Sequence, residues 1–258
     1  MLSYQHAFHA GNLADVQKHA LLAVALDYMT AKDKPMSYIE THAGRGMYDL
    51  GGSEALKTGE AAAGIARIED RFPVGHPYRR RLAEERGRFG PMAYPGSPLI
   101  AAPALRDDDV MHLCELHPQE HAALVKVMAP WGAHVRREDG LKAALALTPP
   151  TPRRGLMLID PSWEVKADYE TVPKVIGQVA RKWNVGVIML WYPLLTGSPH
   201  ARMLKALEAA HPGSLRHEVR FPPAREGHGM IGSGMFVINP PWGLEDEANR
   251  LTAIFKAL

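Results

Sequence analysis

Apolar residues in this chain fall into two kinds of segment. Some form short unbroken runs; others recur every three or four positions. Unbroken runs read as strands covered on both faces, and the wider spacing reads as helix. A first helix is predicted from Leu13 to about Lys32, with Asn12 as its N-cap and Leu13, Val16, Ala20 and Val24 on one face. Lys34-Pro35 ends it, and Ser37 to Glu40 reads as a first strand running into a glycine-rich turn. Gly59 to Phe72 and Pro77 to Phe89 read as two polar helices. They lie inside a connection too long for a simple crossover, so residues from about 54 to 94 are expected to form a small helical insertion within a single domain spanning 1–258. The alternation then becomes regular. Strands are predicted at 110–116, 133–136, 155–159 and 185–191, followed by helices at about 118–128, 141–147, 169–182 and 199–210. Strands near 215–221 and 233–239 have no helix between them and read as an antiparallel finish, before a closing amphipathic helix from Gly243 to Leu258. This order predicts an α/β fold with a mostly parallel sheet covered by helices on both faces.

Composition narrows the picture modestly. With 258 residues, 46% of them hydrophobic, the chain can bury one large core. A formal net charge of +2 does not by itself claim a nucleic-acid partner. The single cysteine, Cys114, excludes an internal disulfide framework and a cysteine-rich zinc site; its apolar surroundings suit a buried, inert thiol. No run of about twenty apolar residues is present and the N-terminus does not read as a secretion signal, so a cytoplasmic protein without a membrane span is expected.

The candidate chemistry sits at the predicted strand ends, where open α/β sheets bind ligands. Asp160-Pro161-Ser162-Trp163 directly follows the run Leu156 to Ile159. A carboxylate beside an aromatic ring suits a planar base with an exocyclic amino group, although Asp-Pro also simply turns a chain. Glu40-Thr41-His42-Ala43-Gly44-Arg45-Gly46 combines an acid with a Gly-x-Gly turn that lets a ligand approach the backbone, but Asp49 stands where a full dinucleotide fingerprint needs glycine. Glu115, after the second core strand, is placed to take ribose hydroxyls or to be a solvated acid. Asp139-Gly140 suits an adenine edge, a helix cap, or both. Their order along the chain is that of a methyltransferase using S-adenosylmethionine: glycine turn, ribose acid, adenine-side acid, substrate-side turn. Ahead of them, Asp15, Lys18 and His19 share a helix face. A metal held by His6, His9 and His19 has no firm ligand spacing behind it, and ordered contacts to a substrate or cofactor are the stronger expectation.

Several blocks carry a family resemblance. Met1 to Asn12, Asp15 to His19, Thr41 to Gly44, Tyr94 to Pro98, Glu115 to Pro118, Asp139-Gly140, Arg153 to Pro161, Trp191 to Pro193, Ser233 to Met235 and Pro240 to Trp242 resemble the bacterial 23S ribosomal RNA adenine-N6 methyltransferase family, type J. The resemblance implies a monomeric, Rossmann-like class I methyltransferase whose seven-stranded sheet has an antiparallel last strand. It implies methylation of N6 of one adenine in 23S rRNA, before or early in large-subunit assembly, with S-adenosyl-L-homocysteine as product. By matching position, Lys18, His19, His42, Gly44, Ser97, Glu115, Asp139 and Gly140 would contact S-adenosyl-L-methionine. Asp160 would be the catalytic acid. Tyr4 and His6 would close over the target adenine, with Pro161 and Trp163 beside it. No metal is implied.

One departure stands out. The family turn is usually Asp-Pro-Pro-Tyr or a close aromatic variant, whereas here Ser162 replaces the second proline and Trp163 the tyrosine. Trp163 keeps an aromatic ring for stacking, and the loss of a rigid proline is expected to loosen the turn without changing the reaction. Arg79, Arg80, Arg81, Arg86, Arg88, Arg153 and Arg154 are candidates for phosphate contact or for a solvated surface. Three other readings stay open. A DNA adenine-N6 methyltransferase would have the same pocket but a larger target-recognition region. An RNA-binding relative impaired at Ser162 would bind without turnover, and a nicotinamide oxidoreductase would show a fuller glycine fingerprint.

Overall fold

The computed structural model describes residues 5–223 and 229–258. Its main sheet contains seven strands: β1 (Ser37–Glu40), β4 (Val110–Cys114), β5 (His134–Arg136), β6 (Gly155–Ile159), β7 (Val187–Leu195), β8 (Leu215–Arg220) and β9 (Met230–Ile238). Between β1 and β4 the chain forms a separate hairpin of β2 (Met47–Asp49) and β3 (Ala93–Pro95). The main sheet runs in the order β5-β4-β1-β6-β7-β9-β8, with β9 antiparallel to both of its neighbours and the remaining pairings parallel. This is the sheet expected from the sequence. Successive strands leave β1 in opposite directions, toward β4 on one side and β6 on the other. The loops that follow β1 and β6 therefore diverge and open a crevice at their carboxyl ends.

The central strands are apolar throughout because helices cover both faces. In β6, Leu156 and Leu158 enter one core while Met157 and Ile159 enter the other, as the two-residue period of a strand requires. The first core packs on α1 (Leu13–Thr30), α6 (Ser97–Ala101) and α11 (Leu244–Lys256). The second packs on α8 (Gly140–Leu147), α9 (Asp168–Lys182) and α10 (His200–Ala210). Helix α7 (Pro118–Met128) joins β4 to β5. Most of α1 is buried all round, because other helices and the sheet enclose it. Asn12 caps it, its side chain accepting from the Asp15 N–H at 2.9 Å.

Within β2 to β3 lie α2 (Ser53–Thr58), α3 (Glu60–Ala63), α4 (Ile65–Ile68) and α5 (Pro77–Phe89). The single helix expected from Gly59 to Phe72 is broken at Gly64. A Cβ there would lie 2.2 Å from the Gly11 carbonyl oxygen, and the next N–H, of Ile65, donates to that same oxygen at 2.8 Å. The helix breaks where it docks on the N-terminal segment. Strand β7 also runs further than expected, through Pro193 to Leu195. Its pairing with β6 stops at Leu190, so Pro193 stands in a stretch paired on the β9 side, opposite Ser233.

Candidate active site

Four neighbouring strands deliver four groups to the same end of the sheet. Asp139 follows β5, Glu115 follows β4, the Thr41 to Gly46 turn follows β1, and Asp160 follows β6. They surround a cavity of about 480 Å³. Of the residues singled out from the sequence, Tyr4 lies outside the described residues. His6, Lys18, His19, His42, Gly44, Ser97, Glu115, Asp139, Gly140, Asp160, Pro161 and Trp163 all line this cavity.

The β1 turn depends on glycine. Gly44 has φ +63°, and a Cβ on it would lie 2.4 Å from the Tyr48 hydroxyl. Its N–H donates to Glu115 Oε2 at 2.9 Å, and the His117 N–H donates to Oε1 at 2.7 Å. Burial pushes the Glu115 carboxyl upward, against the pull of those two backbone donors. Glu115 is thus held by backbone with lone pairs to spare for a diol. Asp139 caps α8 through the N–H groups of Leu141 and Lys142, at 3.0 and 3.2 Å, so capping and cavity lining coexist in one side chain. Gly140 packs directly on the β1 turn, where a Cβ would lie 1.8 Å from the Thr41 carbonyl oxygen. His42 shares a hydrogen bond with Thr41 Oγ1 at 2.7 Å, and burial lowers the pKa of its imidazole.

Opposite this half, the start of α1 carries a buried charge cluster. Lys18 Nζ donates to Asp160 Oδ2 at 2.7 Å and lies 3.0 Å from Asp15 Oδ1. Asp15 Oδ2 receives the Gly11 N–H at 2.9 Å and lies 2.8 Å from His6 Nε2. Burial pulls the Lys18 ammonium toward neutrality, but Asp15 and Asp160 outweigh it and hold it charged, well above the usual lysine range. Burial likewise opposes the Asp15 charge, and His6, Lys18 and His19 together hold its carboxyl well below the usual range. His19, whose Nε2 lies 3.9 Å from Asp15 Oδ1, also joins a second network. Its Nδ1 is 3.0 Å from the Tyr94 hydroxyl, which is 3.0 Å from that of Tyr78, and burial lowers its pKa to about 3. His9 pairs with Glu60, whereas His6 and His19 both flank Asp15. Among the described residues no group of three or more His, Cys, Asp or Glu side chains is placed to hold a metal.

Trp163 departs from the expectation of an open stacking face. It is 6% exposed, with φ +59°, its ring centroid lies 4.6 Å from that of Tyr169, and its indole N–H donates to the Trp191 carbonyl at 3.1 Å. A left-handed backbone is costly for so bulky a residue, and this packing holds it there. Trp191 was noticed in the sequence only as part of a matching block. Its indole lines the same cavity, tied to Ser233 Oγ at 2.9 Å, with Lys18 Nζ 5.9 Å from the ring centroid. Nothing in the sequence marks Trp191 as a site residue, because it reads as the last residue of the apolar strand predicted at 185–191. Asp15 and Glu40, which brace the cavity, stand out in the sequence as part of the face with Lys18 and His19 and as the acid before the glycine turn, without an assigned role of their own. Cys114 is buried, and burial pushes its thiol up to about 12.

A family model described as ribosomal RNA large subunit methyltransferase D, RlmJ, matches residues 33–257. The chain belongs to this family. Two relatives agree, each named ribosomal RNA large subunit methyltransferase J. One, from Escherichia coli strain K12, is 41% identical over 256 residues, covering 97% of this chain and 91% of its own. The other, from Haemophilus influenzae strain Rd, is 38% identical over 257 residues, covering 97% and 92%. A crystal structure of a Legionella pneumophila protein superposes with a TM-score of 0.85 at 34% identity, covering 96% of this chain and 94% of that one. A SAM-dependent methyltransferase from Agrobacterium tumefaciens superposes at 0.50 with 10% identity, covering 88% and 62%, a likeness of fold alone. The family's sheet is therefore that of the Rossmann-like methyltransferases. Among the described residues, no helix is long and apolar enough to cross a membrane.

Proposed function

We propose that this protein transfers a methyl group from S-adenosyl-L-methionine to N6 of one adenine in 23S rRNA. The observation that carries this reading is the convergence of Glu115, Asp139, the Gly44 turn and Asp160 on one cavity, at four adjacent strand ends. The donor set fits the cofactor. Glu115 has lone pairs for the ribose hydroxyls, and Asp139 and the Gly140 backbone suit the adenine edge. Lys18 has three N–H donors and spends two on Asp15 and Asp160, leaving one for the cofactor's carboxylate. When bound, S-adenosylmethionine supplies an electrophilic methyl carbon.

The chain's own residues do the rest. An adenine amine is a poor nucleophile because its lone pair is delocalised into the ring. Asp160 and the Pro161 carbonyl accept its two hydrogens and draw it toward a pyramidal geometry, so that the lone pair points along the transfer line. Lys18 occupies only Oδ2 of Asp160 and leaves Oδ1 to receive the amine. Positioning and fixed dipoles supply the acceleration, and Asp160 need not be a strong base because the amine proton becomes acidic once the methyl has arrived. Trp191, with Trp163 packed behind the turn, gives the base an apolar wall. His6 lines the cavity beside the place the base would take, and the target adenine must be unpaired or flipped out to enter.

The family relatives are named as large-subunit rRNA methyltransferases, which favours rRNA over DNA as substrate. The substrate preference is tested by supplying labelled methyl donor with naked 23S rRNA, large-subunit particles or duplex DNA. Label is expected on RNA, strongest on naked or early-assembly rRNA. Comparable labelling of duplex DNA would contradict the reading.

A further inference from the structure

The cavity has an acid behind its wall that no step above uses. Glu40 ends β1 fully buried and does not line the cavity. Its Oε1 accepts a short hydrogen bond from Ser97 Oγ, and its Oε2 accepts from the Tyr38 hydroxyl at 2.9 Å. Ser97, unlike Glu40, lines the cavity. Among the described residues no cation lies within 4 Å of the Glu40 carboxylate, since Lys18, the nearest ammonium in the network, is committed to Asp15 and Asp160. A buried carboxylate without a counter-ion is costly, and two neutral hydroxyl donors do not offset the loss of water.

Two consequences follow from hydrogen-bond polarity. When Glu40 is ionised it can only accept, so the Ser97 hydroxyl must donate to it and turn its lone pairs to the cavity. Ser97 then serves a ligand as an acceptor, which selects an N–H group and above all a cationic one. When Glu40 is protonated it donates to Ser97 itself, and that selection is lost. A cation arriving in the cavity therefore favours the ionised form.

We propose that Glu40 is a positioning residue which acts through Ser97 to receive the α-ammonium group of the methyl donor, and that it gives up a proton to solvent as that group binds. This rests on the reading of the cavity as an S-adenosylmethionine site. The groups facing Glu40 agree with the direction. Burial raises its pKa to about 8, Ser97 and Tyr38 pull it down, Asp160 beyond the β6 end pushes it up, and Lys18 on α1 pulls it down. Cys114 on neighbouring β4 is an uncharged thiol.

The test is isothermal calorimetry with S-adenosylhomocysteine, which carries the ammonium but no sulfonium. Titrations at pH 7 in buffers of differing ionisation enthalpy give the protons released per site. With a group near 8 in the free protein, release of about 0.9 proton is expected on binding, and between pH 6 and 7 affinity should rise about tenfold. In Glu40→Gln both effects should vanish. Comparison with that variant cancels any titration of the ligand's own amine. Ser97→Ala, which keeps Glu40 but cuts the relay, should also lose most of the release, and it serves should Glu40→Gln fail to fold. Binding by the native protein without proton release, or with the same release in Glu40→Gln or Ser97→Ala, would overturn the proposal while leaving the cofactor site standing. Absence of binding heat in any buffer would strike at the cofactor site itself, and at this proposal with it.

Discussion

Lys18 carries more of the site than its expected role of cofactor contact. It neutralises two carboxylates, Asp15 and Asp160, that are held close together in a buried place. Removing it should therefore damage the fold as well as the chemistry. Lys18→Met is expected to lower unfolding free energy by about 3–5 kcal/mol, the range for breaking one side of a buried pair, as read by urea denaturation. A change under about 1 kcal/mol would mean that the cluster is solvated. Its neighbour His19 gives a pH signature. Its folded pKa of about 3 is depressed from an ordinary 6.5, so the unfolded chain binds the extra proton between these values. Stability from keeping His19 neutral is then complete above pH 6.5 and is lost as pH falls toward 3, with a slope of up to about 1.4 kcal/mol per pH unit. Urea midpoints across that range should fall less steeply in His19→Gln than in the native chain. Equal slopes would show that His19 is not the group responsible.

The strands and helices were legible largely because the core sheet is covered on both faces, which writes each inner strand as an unbroken apolar run. Helix boundaries at 77–89 and 118–128 followed from Pro77 and Pro118, each standing at the first helical position. The β2–β3 hairpin was not legible, since its two strands are three residues each and 43 residues separate Asp49 from its partner Ala93. The break at Gly64 was equally hidden, because it answers to a backbone packed against it from the N-terminal segment. Among candidate site residues, those in turns after strands could be located by motif. Trp191 could not, because it lies within a strand, and Glu40, though read with the turn after it, gave no sign that it is buried behind the cavity wall. One close approach links element packing to the site. Gly140 brings α8 onto the β1 turn, and Gly140→Ala would force its methyl into the Thr41 carbonyl. That variant is expected to lose about 1–3 kcal/mol of stability by overpacking and to weaken S-adenosylhomocysteine binding, both measurable by thermal shift with and without ligand. Unaltered binding would separate the α8 contact from the cofactor site.

For the molecule as a whole, how it would grip RNA is less visible than how it would react with a base. The arginines of the insertion, which in sequence looked like candidates for phosphate contact, are taken up by acids: Arg79 with Asp70, Arg80 with Asp27, Arg81 with Glu84, Arg86 with Glu69 and Arg88 with Glu85. Arg154 is spent on the backbone carbonyls of Met29 and Lys34. With a net charge of only +2, the protein has little long-range pull on a polyanion, and recognition by fit around the cavity is the expectation. Exposed Leu116 and Val165 at the cavity wall are consistent with such fit. The most direct test maps 23S rRNA by mass spectrometry after deletion of the gene and complementation with the native chain or with Asp160→Asn. One N6-methyladenosine should vanish on deletion and return with the native chain. It should stay absent, or return at least about a hundredfold more slowly, with an Asp160→Asn protein that still binds S-adenosylhomocysteine. Full restoration by Asp160→Asn, or an rRNA methylation map unchanged by the deletion, would contradict the assignment.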